Sequence, residues 1–148
     1  MSSSDPAIRF VRLPRSVDRT VLEEFAIVLR TRVARGREFA CLVTTDGELQ
    51  RLNREFRRKD YATDVLSFPS GEAGGYLGDL AISWQRARGQ ARDFGHSLET
   101  EIRILMLHGI LHLTGLDHET DGGTMKRAET RWRRIFGLPA GLIERVHA

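Results

Sequence analysis

Three histidines within eleven residues, His108, His112 and His118, constrain this chain more than any other feature. The first two are four residues apart, so on a helix both rings project from one face with Cβ atoms about 5–6 Å apart. Rings at that spacing can reach one ion at zinc–nitrogen distances of about 2.0–2.1 Å. Gly115 can end the helix in the left-handed conformation, and the following turn can bring His118 back to the same ion. The run therefore predicts a site for one zinc ion with three protein ligands and an open fourth position, as in catalytic zinc sites.

The residue after the first histidine restricts the chemistry of this site. The spacing of the histidines and Gly115 equals that of metzincin metalloproteases, in which a glutamate directly after the first histidine is the general base. This chain has Gly109 there, and glycine takes no proton. The sequence therefore predicts a metal site but argues against peptidase activity. For hydrolysis at this site, either a separate residue is the general base or the metal-activated water reacts without one. Asp79 and Asp117 are the nearest acidic candidates. Asp79 could instead form hydrogen bonds at a strand end, and Asp117 could instead orient a ligand histidine or belong to a turn.

Length and composition predict a single globular domain over residues 1–148. The chain is 41% hydrophobic and 29% charged, which argues against disorder. No apolar run approaches the roughly 20 residues that span a bilayer, and the first residues lack the basic and apolar regions of a signal peptide. The single cysteine, Cys41, lies in an apolar run. We therefore expect a buried thiol without a disulfide partner and a cytoplasmic location.

Hydrophobic periodicity and capping residues predict four strands and about five helices. The predicted strands cover residues 8–11, 38–45, 64–68 and 76–83. The first predicted helix runs from residue 16 or 18 to about 34, and the second begins at Asp46, with Phe56 facing inward. The third runs from residue 84 into the nineties, the fourth from a cap at Ser97 through the histidines, and the fifth from residue 123 or 124 to 136. His96 precedes that cap and is expected at the surface. This mixture predicts the α+β class, a mixed α/β sandwich whose four-stranded mixed sheet supports a buried, zincin-like metal helix.

Arginines dominate two basic segments, although the net charge is only +3. Residues 51–60 and residues 126–134 each contain four arginines and one lysine. The guanidinium fork suits phosphate recognition, and clustered basic charge suits nucleic acid. A solvated surface explains the same charges, so composition alone leaves both interpretations open.

Two further motifs accompany the run HGILHLTGLDH of residues 108–118. Residues 52–69 read LNREFRRKDYATDVLSFP, and residues 77–80 read LGDL. In this order the three motifs resemble those of the YbeY family, the bacterial zinc-dependent endoribonucleases and rRNA maturation factors. The order of predicted strands and helices on either side is also similar to the family, so the resemblance covers nearly the whole chain. One departure is Ala62, where the family often has proline.

The resemblance implies roles for individual residues. His108, His112 and His118 match the family's zinc ligands, and Arg57 matches an arginine implicated in its ribonuclease activity. The family cuts single-stranded RNA, matures the 3′ end of small-subunit rRNA and takes part in ribosome quality control. The resemblance thus implies one Zn²⁺ as cofactor. The implied partners are single-stranded RNA or rRNA and the small ribosomal subunit or its assembly factors, without a membrane. Arg57 could offset charge that develops on a phosphodiester by bidentate contact.

Two other functions stay open at this level. A non-catalytic ribosome-assembly factor, in which zinc helps to hold the fold, needs no general base. A metallopeptidase uses the same ligand spacing, but Gly109 replaces its glutamate. Assays with labelled RNA and labelled peptide separate these functions from an endoribonuclease.

Overall fold

The computed structural model describes residues 7–57, 63–71, 74–116 and 121–141, together with Ile143 and Arg145, and for Ala7 and Arg57 only the backbone. The strands are β1 (Ala7–Phe10), β2 (Glu38–Thr44), β3 (Val65–Pro69) and β4 (Tyr76–Ser83). The helices are α1 (Arg19–Val28), continued by a π-helical turn (Leu29–Val33), α2 (Asp46–Arg57), α3 (Trp84–Phe94), α4 (Leu98–Leu113) and α5 (Thr124–Phe136). The elements that the sequence predicts are thus present in the predicted order.

The strands form one mixed sheet in the order β1-β2-β4-β3. β1, β2 and β4 are parallel, and Cys41 of β2 lies between Ile8 and Leu80. β3 runs antiparallel to β4, pairs Ser67 with Leu80 and forms one edge of the sheet. Parallel neighbours require crossover connections, which here contain α1 and α2. The predicted α+β class with a four-stranded mixed sheet is confirmed.

The two faces of the sheet are covered unequally. Because side chains alternate along a strand, one face of the central strands packs into the main core with α1, α4 and α5 through Phe39, Cys41, Val43, Leu80 and Ile82. The opposite face carries a smaller cluster beneath α2, formed by Leu49, Leu66 and Ala81. Helices α2 and α4 therefore lie on opposite sides of the sheet.

Helix α4 passes through the main core and carries the first two histidines of the run. Ser97 caps it as predicted, since its hydroxyl oxygen accepts a hydrogen bond from the Thr100 amide at 3.1 Å. The helix ends at Leu113, and Gly115 follows with a φ of +101°, as the predicted stop requires. Eleven of the 16 residues are buried, which gives the histidines a rigid mount. Neither α4 nor another described helix is long and apolar enough to cross a membrane.

The single cysteine is buried, as predicted. Cys41 is 2% exposed, and burial raises the pKa of its thiol to about 12. The thiolate is the reactive form of cysteine, so Cys41 acts as a small apolar residue of the core.

Two local predictions are wrong. Phe56, expected to face inward, is 65% exposed. Helix α2 covers only part of the sheet, and at its last turn the Phe56 ring lies edge-to-face with Phe68, at 6.0 Å between centroids, beside an open cleft. The first helix also does not continue as an α-helix to residue 34, because it widens into the π-helical turn at Leu29. The Ala34 amide there donates to the Leu29 carbonyl at 2.9 Å, just before the chain reverses into β2.

The segment after α5 packs against the core. Leu138 and Ile143 are buried, and the Arg145 guanidinium binds both carboxylate oxygens of Glu101 at 2.8 and 2.9 Å. His96, which we expected at the surface, has a side chain only 13% exposed and contacts the same carboxylate with Nε2 at 2.7 Å. That expectation was wrong because the Glu101 carboxylate is buried by its pairing with Arg145, 44 residues away, and no local pattern reveals that pair.

Candidate metal centre

The rings of His108 and His112 lie side by side on α4. Their centroids are 4.8 Å apart, and the ring planes meet at 76°. His108 is 7% exposed, whereas His112 is half-buried. The four-residue spacing thus places two imidazoles together at the C-terminal part of a buried helix, as the sequence predicts.

A separate hydrogen bond fixes each of these rings through Nδ1. His108 Nδ1 lies 2.8 Å from Oε2 of Glu129, and His112 Nδ1 lies 3.1 Å from the carbonyl oxygen of Leu116. A carboxylate or carbonyl acceptor at Nδ1 makes that nitrogen the donor, so Nε2 is the nitrogen with which each ring can ligate an ion. Metal-binding histidines are held in this way by carboxylates and backbone carbonyls.

Glu129 is a further residue of this candidate site, and the sequence motifs do not include it. It is 1% exposed although it lies in a basic segment of α5. Its second oxygen, Oε1, accepts a hydrogen bond from the Ile143 amide at 3.0 Å. One signal in the sequence could have found it: Met125 and Trp132 stand four residues before and three after Glu129. Helical spacing therefore puts this carboxylate on the apolar face of α5.

The close approach of the C-terminal segment to Glu129 depends on a glycine. A Cβ atom on Gly141 would lie 2.2 Å from Oε1 of Glu129, far inside van der Waals contact. Without a side chain at this position, the backbone can close over the carboxylate and present the Ile143 amide to it. The C-terminal segment therefore helps to hold the residue that orients His108.

The donor set fits a metal ion. Within the described part of the chain, no arginine or lysine forms an ion pair with Glu129. A buried carboxylate is costly unless a positive charge compensates it, and a divalent cation on the neighbouring imidazole would do so. Zinc accepts imidazole nitrogen as a ligand, and a carboxylate behind the imidazole increases its basicity.

Several predicted site residues fall outside what the structure describes. His118 and Asp117 belong to residues 117–120, which are not described, and the side chain of Arg57 is likewise not described. Over the described ranges, no group of three histidine, cysteine, aspartate or glutamate side chains is placed to hold a metal. Only two of the three predicted ligands lie within those ranges, so the ligand set and the role of Arg57 stay predictions.

The structure explains why glycine follows the first histidine. A Cβ atom on Gly109 would lie 2.5 Å from Cδ2 of Leu80, because α4 crosses closely over β4 at this point. The hydroxyl of Ser67 in β3 also donates to the Gly109 carbonyl, at 3.4 Å. Position 109 therefore faces the sheet, and the glutamate of a metalloprotease has no room there.

Asp79 does not face the histidines. In β4 it alternates with Leu80, which packs beneath α4, so Asp79 projects from the opposite face of the sheet. There it lines a mostly apolar cleft with Phe56 and Phe68 and accepts a hydrogen bond from the hydroxyl of Tyr76. Burial, followed by this contact, raises the pKa of Tyr76 to about 12. Asp79 is thereby removed as a candidate base for chemistry at the histidines.

Known proteins are similar to this chain over most of its length. A family model described as Endoribonuclease YbeY matches residues 12–136. An Endoribonuclease YbeY of Solibacter usitatus is 59% identical over 149 residues, which cover 100% of both chains. That of Koribacter versatilis is 56% identical over 108 residues, 71% of this chain and 68% of the relative. The solution structure of TM1509 from Thermotoga maritima has a TM-score of 0.61 at 28% identity, covering 88% of this chain and 89% of that one.

Proposed function

Because this chain belongs to the Endoribonuclease YbeY family, it is a nuclease that hydrolyses phosphodiester bonds, and we propose that it is a zinc-dependent endoribonuclease specific for single-stranded RNA. We further propose that it acts in maturation of the 3′ end of small-subunit rRNA and in ribosome quality control. The observation that supports metal dependence is the pair of imidazoles on α4, each with Nδ1 held by an acceptor.

The proposed site consists of His108, His112 and His118 as metal ligands, with Arg57 on the substrate. A zinc ion bound there would supply Lewis acidity toward a water molecule and a phosphoryl oxygen. Glu129 holds His108 in one tautomer and orientation, and it is a positioning residue because both of its oxygens already accept hydrogen bonds. Arg57, at the end of α2, contacts the phosphate through its fork and stabilises the negative charge that grows during cleavage.

The wider setting of the proposed reaction follows from its substrate. The partners are single-stranded RNA or rRNA and the small ribosomal subunit or its assembly factors, and the place of action is the cytoplasm. Residues 1–148 act as one domain in this proposal.

Cleavage assays on zinc-loaded protein test the proposal. The substrates are one labelled RNA as a single strand, the same RNA in a duplex, and a labelled peptide, and the zinc content of each variant is measured by mass spectrometry. We expect cleavage of the single strand only. His112→Ala should lose zinc and cleavage together, since removing one of three ligands weakens the site. Arg57→Lys should keep zinc but cleave slowly, because lysine keeps the charge and lacks the bidentate fork.

His147→Ala is the matched control, since it removes a histidine outside the ligand run. It should retain both zinc and cleavage. Stoichiometric zinc in His112→Ala would contradict the ligand assignment. Binding of RNA without turnover by fully metallated protein would favour the assembly-factor role, and cleavage of the peptide alone would favour a peptidase.

A further inference from the structure

Four arginines surround a cavity of about 490 Å³ beside the C-terminal end of α4. Three of them, Arg32, Arg35 and Arg37, come from the π-helical turn and the connection to β2, and the fourth, Arg131, comes from α5. We call this the arginine cavity. Its lining also includes the apolar residues Val33, Leu111, Leu116 and Ala128. Residues about 100 positions apart in the sequence thus direct positive charge into one concave surface.

Among the residues that the structure describes, no carboxylate is paired with an arginine of this cavity. Some other arginines of the protein form salt bridges: Arg51 with Glu48 and Glu55, Arg86 with Asp46, and Arg145 with Glu101. None of the four arginines of the cavity forms a salt bridge to a carboxylate of the described residues. Like charges in proximity repel one another, so such a cluster is stabilised when an anion binds between them.

An aromatic platform holds two of these guanidinium groups in place. Arg131 lies 5.3 Å and Arg32 lies 5.8 Å from the centroid of the Trp132 ring, and Arg32 also lies 5.9 Å from that of Phe136. Contact with an aromatic face favours a cation and restricts the motion of a long side chain. Less conformational freedom is then lost when an anion binds.

The backbone at Arg35 is also unusual for an arginine. Its φ is +55°, and Gly36 follows at +84°. A side chain with a Cβ atom is disfavoured in this left-handed conformation, which glycine adopts readily. The chain therefore carries a guanidinium at a position where glycine would fit the turn better, and a structural role in the turn does not account for it.

The arginine cavity adjoins the candidate metal centre. Leu116 lines the cavity, and its carbonyl oxygen is the acceptor for Nδ1 of His112. Leu111 and Thr114, on either side of His112 in the sequence, line the cavity as well. The cavity and the candidate metal centre therefore meet at the last turn of α4 and the Leu116 backbone.

We propose that the arginine cavity binds backbone phosphates of the single-stranded RNA that enters or leaves the metal centre. This inference rests on the proposed function, because that function identifies the polyanion as RNA. Several guanidinium groups in one concavity fit successive phosphates of a strand, which arginine binds by its fork. The cavity positions the strand, whereas the chemical step stays at the metal centre.

Equilibrium binding of a labelled single-stranded RNA to zinc-loaded protein at several salt concentrations tests this proposal, with RNA integrity checked on a gel. The variants are Arg131→Gln and Arg35→Gly. Each should weaken binding about two- to fivefold at low salt, as expected for one exposed ionic contact. Each should also reduce the slope of log K against log salt by about 0.7, the value for one phosphate contact on a single strand. The double variant should reduce the slope by about 1.4.

Arg88→Gln is the matched control. Arg88 is an exposed arginine of α3 that lies 5.2 Å from the Trp84 ring, so this variant removes the same charge and the same kind of aromatic contact away from the cavity. A binding loss in Arg35→Gly cannot be attributed to misfolding, because glycine suits the left-handed backbone at this position. The unfolding temperature of this variant should be unchanged or higher than that of the wild type. Equal effects of Arg131→Gln and Arg88→Gln on binding and salt slope would overturn the proposal.

A failure of the cavity proposal can be distinguished from a failure of the proposed function. If the wild-type protein does not cut single-stranded RNA, the proposed function fails. If it cuts RNA normally and the cavity variants bind with wild-type affinity and salt slope, only the cavity proposal fails.

Discussion

Two buried glutamates of this protein each contact a histidine ring, but their surroundings differ. Glu101, in the first turn of α4, lies 2.7 Å from Nε2 of His96. Glu129, in α5, lies 2.8 Å from Nδ1 of His108. Both glutamates are almost inaccessible to solvent, with exposures of 0% and 1%. From the histidine–glutamate contact alone, the two sites look equivalent.

The charge of Glu101 is balanced within the protein. Arg145 binds both of its oxygens, and the guanidinium also lies 4.1 Å from the centroid of the Phe94 ring. The site therefore joins the C-terminal segment to α3 and α4 and needs no ligand. Its His96 ring is a further hydrogen-bonding partner in a closed structural cluster.

Glu129 accepts a hydrogen bond from a backbone amide, whereas Glu101 is paired with an arginine. The Ile143 amide satisfies Oε1 as a hydrogen-bond acceptor but supplies no full positive charge. His108, its other partner, stands beside a second imidazole at 4.8 Å. A buried histidine–glutamate pair is thus compatible with a metal ligand when, among the described residues, no arginine or lysine balances the carboxylate charge.

The largest expected effect is on stability, at the first of these sites. Glu101→Gln leaves Arg145 buried without its counter-charge, and breaking a buried ion pair in this way costs about 3–5 kcal/mol. Chemical denaturation should show this loss, while zinc content per folded protein stays at the wild-type value. Glu23→Gln, at an exposed position of α1, is the control and should change stability by less than about 0.5 kcal/mol. A loss of zinc in Glu101→Gln would mean that the two glutamates do not have separate roles.

A smaller effect, confined to metal affinity, is expected at the second site. Glu129→Gln keeps the size of the side chain but removes the carboxylate that orients His108, which should weaken zinc binding about 10- to 100-fold. Competition with a zinc chelator measures the affinity directly. Glu101→Gln serves as the comparison, since it removes a buried carboxylate from the other pair. An unchanged zinc affinity in Glu129→Gln would make Glu129 a purely structural residue.

The smallest expected effect is that of a single methyl group on the C-terminal segment. Gly141→Ala places a Cβ against the Glu129 carboxylate, so the segment must shift, at a cost of about 1 kcal/mol. Zinc affinity should fall by less than in Glu129→Gln, because the carboxylate is still present. Gly89→Ala is the control: no atom lies within 4 Å of its Cβ position in α3, and it should stabilise the protein by about 0.5–1 kcal/mol. If Gly141→Ala behaves like Gly89→Ala, the segment does not hold Glu129.

The elements of the fold could be predicted because each depends on near neighbours. Alternation identified the strands, Ser97 identified the start of α4, and Gly115 identified its end. The same local logic failed for Phe56, since the apolar spacing on α2 does not reveal how far the helix extends beyond the part of the sheet that it covers. For Asp79 it left two alternatives open, because proximity in sequence to a motif does not tell which face of the sheet carries the side chain, and the structure favours the hydrogen-bonding strand residue.

The sequence by itself determined that two imidazoles share one face of a helix, since a four-residue spacing fixes this on any α-helix. It also determined the family motifs and the absence of a protease base at Gly109. Only the tertiary structure decided that Glu129 stands behind His108, that Leu80 leaves no room at position 109, and that four arginines meet beside α4. These contacts join segments up to about 100 residues apart, and the packing of helices on the sheet, which local patterns do not encode, brings them together.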